Sequence, residues 1–224
     1  SAAGGGVLGG DDGTLGMEFY LVDGFQGEDG DGGYNFDTSS GIRGGRPSLK
    51  TNMGDRPASF VGRFSYSPVL GTEMGLSNWT GPWDDAGDLD LSITMVDITT
   101  DLGSWVEALG ATILNFEMGN VSIDRDAAAI AGGVPDDISA TSVEISKKFF
   151  PDFVTNLWGE DSSCALTIRW EEQDLTGPVK SRMTYGFNMR PTDETVLKFD
   201  YEQESIDGAE DPDGTFIFSA ATYF

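Results

Sequence analysis

The chain has no histidine and a single cysteine, Cys164, in 224 residues. The missing imidazole removes the commonest general base and metal ligand near neutral pH. A lone cysteine excludes an internal disulfide. Basic residues are scarce, with 13 Lys and Arg against 38 Asp and Glu and a net charge of −25. With no basic footprint, nucleic acid is not an expected partner. No run of about 18 apolar residues occurs, so no transmembrane helix is predicted. β-Strands that cross a membrane give a much weaker signal and stay open. Enzyme signatures are also missing: there is no Gly-x-Ser-x-Gly elbow and no phosphate-cradling loop. The acid pairs Glu171–Glu172 and Asp136–Asp137 are adjacent in sequence, so their side chains diverge on a strand. We expect neither enzymatic activity nor a cofactor.

What is present is alternation. The 31 glycines and 14 phenylalanines suit short strands and tight turns. Residues 1–14 form a glycine-rich lead-in, and 15–224 a single β-domain with a long Gly- and Asp-rich loop at 25–56. About ten strands are predicted, at 15–24, 57–67, 72–80, 89–99, 105–118, 137–149, 162–172, 180–190, 195–204 and 215–224. In most of them one face is apolar, as with Met183, Tyr185, Phe187 and Met189, and the other polar. The pattern slips at Val96, where a bulge is expected. Segment 105–118 fits a strand better than a helix because of Gly110 and its β-branched residues. Short turns alternate with long acidic loops, which describes an antiparallel transmembrane β-barrel. Its loops would be extracellular, its turns and both termini periplasmic. Five tryptophans, Trp79, Trp83, Trp105, Trp158 and Trp170, fall mostly near strand ends, as an interfacial girdle or as core.

The inward face would carry Glu18, Arg63, Glu144, Arg169, Glu171, Arg182, Arg190, Lys198, Asp200 and Glu202. Water and compensating charge on such a face are what an ion needs to cross a low-dielectric layer. Neutralising one another across strands is the plainer role for the same residues.

The last strand, 215–224, places Phe216, Phe218 and Phe224 on one face, and it resembles the closing strand of Gram-negative outer-membrane β-barrels. Residues 183–192, 195–201 and 214–219 with Phe224 are similar to the last three strands of general and phosphate-selective porins. Residues 41–46 and 61–68, and Asp84, Asp85 and Asp88 ahead of a strand, resemble porin-like proteins too. The resemblance implies a passive diffusion channel for ions and small hydrophilic solutes in outer-membrane lipid, with a homotrimer as its assembly. Such barrels run to about sixteen strands, so this one is either the C-terminal part of a longer barrel or a small, largely filled one. It also implies that the loop carrying Arg43 and Arg46 folds inward as a constriction, against a solvated surface loop as the plainer reading.

The acidic loops offer carboxylates to calcium at Glu28, Asp29, Asp31, Asp84, Asp85 and Asp88. None has the helix–loop–helix spacing, and a solvated acidic rim explains them as well. A second class of function is a structural or adhesive surface protein, a plugged barrel or β-sandwich whose acidic loops bind partners.

Overall fold

A computed structural model describes residues 2–10, 13–39, 41–46, 58–192, 194–208 and 213–222. Eleven strands form one sheet in sequence order: β1 (Ala2–Gly10), β2 (Gly13–Asp23), β3 (Ala58–Ser67), β4 (Thr72–Pro82), β5 (Asp90–Asp101), β6 (Thr112–Ile123), β7 (Asp137–Phe149), β8 (Ser163–Asp174), β9 (Lys180–Thr192), β10 (Thr195–Ile206) and β11 (Asp213–Thr222). Every neighbouring pair is antiparallel. The chain is all-β, with two short helices, α1 (Ala127–Ala131) and α2 (Asp152–Trp158). Among the described residues β1 pairs only with β2 and β11 only with β10, so the sheet keeps two free edges.

The register carries the alternation across the whole sheet. Met17 faces Phe64, Phe64 faces Leu76, and Leu76 faces Val96. The row continues through Met118, Thr141 and Glu172. Next to it, Ile98, Phe116, Val143, Trp170 and Met183 make another apolar row. Neighbouring strands lie about 4.8 Å apart, so the apolar face spans roughly 43 Å from β2 to β11. It is about 20 Å tall from Leu15 to Leu21 at about 3.4 Å per residue. Phe19, Phe60, Phe64, Leu76, Leu166, Tyr185 and Phe199 on it are all exposed. At the short-turn end of the same face Thr72, Thr100, Thr112 and Cys164 are buried.

Several expectations need correction. Residues 2–10, expected as a lead-in, form a paired strand. Glycine and alanine carry little strand propensity, and pairing with β2 supplies what propensity does not. The extra strand also reverses the N-terminal end. Residue 2 lies at the long-loop end of the sheet and residue 222 at the short-turn end. Val96 is no bulge, because β5 keeps an unbroken register with β4 and β6. The apolar residues change faces there instead. Residues 105–111 are not strand but hold one 3-10 turn, Glu107–Leu109, and strand β6 starts at Thr112 and runs to Ile123, inside the expected loop. The connection at 150–161 contains α2, and the 175–179 connection at the long-loop end is short, so loop lengths divide the two ends less cleanly than expected. Tyr223 and Phe224, with Glu210 and Asp211, lie outside the described residues.

The core explains the change at Val96. Leu91 on β5, Val121 and Ile123 on β6 and Ile138 on β7 belong by register to the polar face. They are buried there, at the long-loop end, under Phe36 and Trp83 with Ala129, Val134 and Leu175. Trp79 packs against this cluster, edge-on to Phe25 at 4.9 Å. Two of the five tryptophans are therefore core. Trp105 and Trp158 are exposed at the short-turn end, and Trp170 stands on the apolar face.

Candidate functional site

The polar face is the one concentration of paired chemistry in the described structure. Its first cluster is built on Arg63. The guanidinium reaches across β4 and donates to both carboxylate oxygens of Asp97 on β5, Nη1 to Oδ1 at 2.5 Å and Nη2 to Oδ2 at 2.8 Å. It also donates to Ser77 (3.1 Å) and Glu73 (3.3 Å). Gly75 on β4 makes the crossing possible. A Cβ there would stand 2.5 Å from Arg63 Nη2 and 2.5 Å from Asp97 Oδ1. Gly75→Val is expected to break the pair and cost about 1–3 kcal/mol, the range for overpacking a filled site. Urea unfolding of the variant beside Asp97→Asn checks this, and additive losses in the double variant would mean the side chain acts elsewhere. Glu18 faces Arg63 in register, yet its carboxylate accepts instead from the Tyr20 hydroxyl at 2.8 Å.

The second cluster spans β8, β9 and β10. Arg182 stands 3.0 Å from Glu204, 3.7 Å from Glu202 and 4.0 Å from Glu171. Arg169 reaches Glu171 at 3.3 Å. Between the clusters a neutral relay runs from the Thr99 hydroxyl to Asn115 (2.9 Å) and from the Asn115 amide to Glu144 (3.3 Å). Glu117, Lys198 and Asp200 fall on the same face by register. Arg190 is exposed near the short-turn end of β9, opposite Ser163.

All ten sequence-chosen charges thus share one face, and seven of them lie in or beside an ion pair or a hydrogen bond. These are Glu18, Arg63, Glu144, Arg169, Glu171, Arg182 and Glu202. Glu73, Asp97, Glu117 and Glu204 were missed. Glu73 and Glu204 alternate correctly with their apolar neighbours and were legible. Glu117, between Phe116 and Met118 on β6, was legible in the same way; Asp97 was not, because the face exchange at Val96 disguised the parity of β5.

The loop after β2 lies over the loop end of this face. Gly27 N–H donates to the Trp83 carbonyl (2.8 Å) and Asn35 N–H to Gly27 (2.7 Å). The Asn35 amide bridges the carbonyls of Gln26 and Glu28. Lys180 Nζ on β9 donates to the Ser39 carbonyl at 3.1 Å. Gly41 sits against Ile138 and Leu175. The segment therefore stretches from β2 to β9. Arg43 and Arg46 flank its 3-10 turn and are exposed, while Gly45 between them packs on Phe36.

Three of the six calcium candidates, Glu28, Asp29 and Asp84, accept backbone N–H groups. Asp29 Oδ1 accepts from the N–H groups of Asp31 and Gly33, both 2.8 Å. Those donors hold its carboxyl below the usual carboxylate range. A depressed pKa of this kind steadies the turn at neutral pH, and the effect fades as pH falls through it. Asp84 is buried and accepts from Asp88 N–H (3.2 Å) and Leu89 N–H (2.9 Å). Glu28 and Asp85 do meet, through Asp85 N–H to Glu28 Oε2 at 3.3 Å. Asp31 and Asp88 are exposed at the surface of their loops. Among the described residues no group of three or more His, Cys, Asp or Glu is placed to hold a metal. Cys164 is buried on the apolar side of β8, between Phe149 and Met189.

Compared with protein-family models, with curated proteins and with solved structures, the chain matches none.

Proposed function

We propose that this sheet is wall material of an outer-membrane β-barrel that acts as a passive diffusion channel for ions and small hydrophilic solutes. One observation carries the reading: nearly every strand exposes apolar side chains on one face and gathers its charge on the other, in register over ten strands. The largest apolar patch of a typical soluble monomer is about 300–600 Å². A face of roughly 43 by 20 Å exceeds that, and its height approaches the apolar band of about 25 Å that lipid requires. The opposite face supplies water-compatible charge, and the resemblance of residues 183–219 to porin strands points the same way.

The selectivity follows from the pairing. Arg63, Arg169 and Arg182 are held by Glu73, Asp97, Glu171, Glu202 and Glu204. Glu18, Glu117, Glu144 and Asp200 add to the negative side, with Arg190 and Lys198 opposing. The lining is net acidic and the channel prefers cations. Planar-bilayer recording with a salt gradient tests both statements. Conductance steps with a cation-sided reversal potential are expected, and an anion-sided one would refute the preference. A folded protein that co-floats with vesicles but never conducts would refute the channel.

The segment 24–46 favours a second reading, a plugged surface barrel whose acidic loops bind partners, because it is packed into a core and not merely draped. In that case insertion without conductance is the expected result.

A further inference from the structure

On β4 to β7 the two faces of the sheet exchange character part-way along the strands. On the apolar face the last apolar residues toward the long loops are Leu76, Val96, Met118 and Val143. Two residues further on stand Asn78, Thr94, Asn120 and Thr141, and beyond them Thr80, Ser92, Ser122 and Ser139. Thr80, Thr94, Asn120, Ser122 and Ser139 are exposed. The opposite face changes the other way over the same stretch, from Asp97 and Glu117 to the buried Leu91, Val121, Ile123 and Ile138. A wall with its apolar side chains packed inward and hydroxyls and amides outward is built for water on its outer side. Hydrocarbon over those groups would cost their desolvation.

The apolar stretch left for lipid on the middle strands is short. Met118 to Thr112 on β6, Val143 to Phe149 on β7 and Trp170 to Cys164 on β8 each run about 20 Å at about 3.4 Å per residue. Strand tilt shortens that height further, and the apolar band of a membrane barrel is about 25 Å tall. The missing height has to come from the short-turn end, beyond the strands.

The connections there are apolar and turned outward. Leu70, Trp105, Phe153 and Leu157 are 95%, 62%, 71% and 66% exposed, and Val106 and Trp158 are exposed with them. The connection after β5 folds out over the apolar face, because the Thr112 hydroxyl on that face donates to the Leu109 carbonyl at 2.6 Å. The Thr72 and Thr100 hydroxyls on the same face are buried and bonded to each other at 2.6 Å. Ser104 Oγ lies 3.5 Å from the Leu70 carbonyl and joins this connection to the turn after β3. In α2 Val154 is buried while Phe153, Leu157 and Trp158 stay exposed. The exposed charges on and next to the connections after β5 and β7 are Glu107, Lys147, Lys148, Asp152, Glu160 and Asp161. All sit at the level of the connections, where headgroup water reaches them. Lys147 stands on the apolar face itself, and its long stem lets the ammonium reach that level.

We infer that the connections 69–70, 102–109 and 150–158 form a lipid-contacting belt seated in the bilayer interface. The bilayer is accordingly displaced toward the short-turn end on β4 to β8, and the loop-end parts of β4 to β7 stand in water with the core under segment 24–46. Tryptophan and apolar side chains beside charges suit that interface. The inference deepens the channel reading and rests on its membrane placement.

Nitroxide labels in phosphatidylcholine vesicles test it. Val96→Cys, Met118→Cys, Thr94→Cys, Asn120→Cys, Trp105→Cys, Phe153→Cys and Leu157→Cys are made singly in a Cys164→Ala background. Flotation with the vesicles is scored first. Collision of each label with oxygen, which concentrates in hydrocarbon, is then compared with collision with a water-soluble nickel chelate. Oxygen should dominate at 96 and 118, and the ratio should reverse at 94 and 120, two residues away. Positions 105, 153 and 157 should fall on the oxygen side. Oxygen dominance at 94 and 120 would overturn the displaced bilayer, and nickel dominance at any of 105, 153 and 157 would overturn the belt. Either result leaves the membrane reading standing. Failure to float, or nickel dominance at 96 and 118, ends the membrane reading and the inference together. The cysteine-free background is not needed for a second measurement. Lipids brominated near the headgroup should quench the fluorescence of the unmodified chain, and Trp105→Phe combined with Trp158→Phe should remove most of that quenching. Quenching that the two substitutions leave unchanged would also overturn the belt.

Discussion

Trp83→Ala is expected to release the segment 24–46 from the polar face, with a local cost of about 3–5 kcal/mol, the range for truncating a large buried aromatic. The residue holds three things at once. Its ring lies 5.3 Å from Phe36 and 6.2 Å from Tyr34. Its indole N–H donates to the Asp124 carbonyl at 3.0 Å. Its backbone carbonyl accepts from Gly27, and its N–H donates to Leu89. The backbone bonds survive the substitution, but the cavity left behind removes the floor on which Phe36 sits. The buried residues of the cluster meet the sheet only at the loop ends of β5, β6 and β7, so global unfolding should move less than the local change. Hydrogen exchange in residues 24–46 is the direct readout, and exchange unchanged from the parent would reject the account. Conductance gives the functional readout. If the segment narrows a pore, releasing it raises the single-channel step and makes it noisier. Trp83→Phe separates the contributions. It retains most of the buried surface and loses only the indole bond, worth about 1 kcal/mol.

The alternation that made the sheet legible is a local property, and it held wherever both faces of a strand have one environment along their length. Strands β8, β9 and β10 are such cases, with Met183, Tyr185 and Phe187 on one side and Arg182 and Thr184 on the other. It failed where a strand crosses from one environment to another. β5 starts with Leu91 and Ile93 under the loop core and ends with Val96 and Ile98 on the exposed apolar face. In sequence that looks like a slipped register, and Asp97 was lost with it. The core could not be read for a different reason. Phe36, Trp83, Val134 and Leu175 come from four separate connections, and nothing in their spacing says that they meet. β1 was invisible because glycine and alanine declare no face. The calcium candidates were legible as acids, but their hydrogen bonds to nearby backbone N–H groups follow from turn geometry. Gly30 (φ 83°) and Gly32 (φ 89°) take the left-handed conformations that the Asp29 turn needs.

In the proposed channel, Arg182→Gln should shift the permeability ratio toward cations by about fivefold. The guanidinium is the shared partner of Glu171, Glu202 and Glu204. Removing it leaves three carboxylates on neighbouring strands with only Arg169 near one of them. One unit charge about 4 Å from a hydrated ion contributes about 1 kcal/mol in water, which corresponds to that factor. The pairs are a fifth to two-fifths exposed, so the stability cost should stay near that of surface pairs, about 1 kcal/mol or less, and below that of a buried pair. Salt provides the internal control. The Debye length falls from about 10 Å at 0.1 M to about 3 Å at 1 M, so the shift in reversal potential should be largest at low salt and shrink as salt rises. Arg182→Lys keeps the charge while losing the guanidinium fork. It should leave selectivity close to the parent even if folding weakens. A channel that conducts with the same reversal potential in all three proteins would place Arg182 outside the ion path, and the polar face would then be scaffold. A shift confined to Gln, restored by Lys and erased by salt, ties the charge on this face to ion passage, because a packing defect would follow the side-chain shape and ignore the salt.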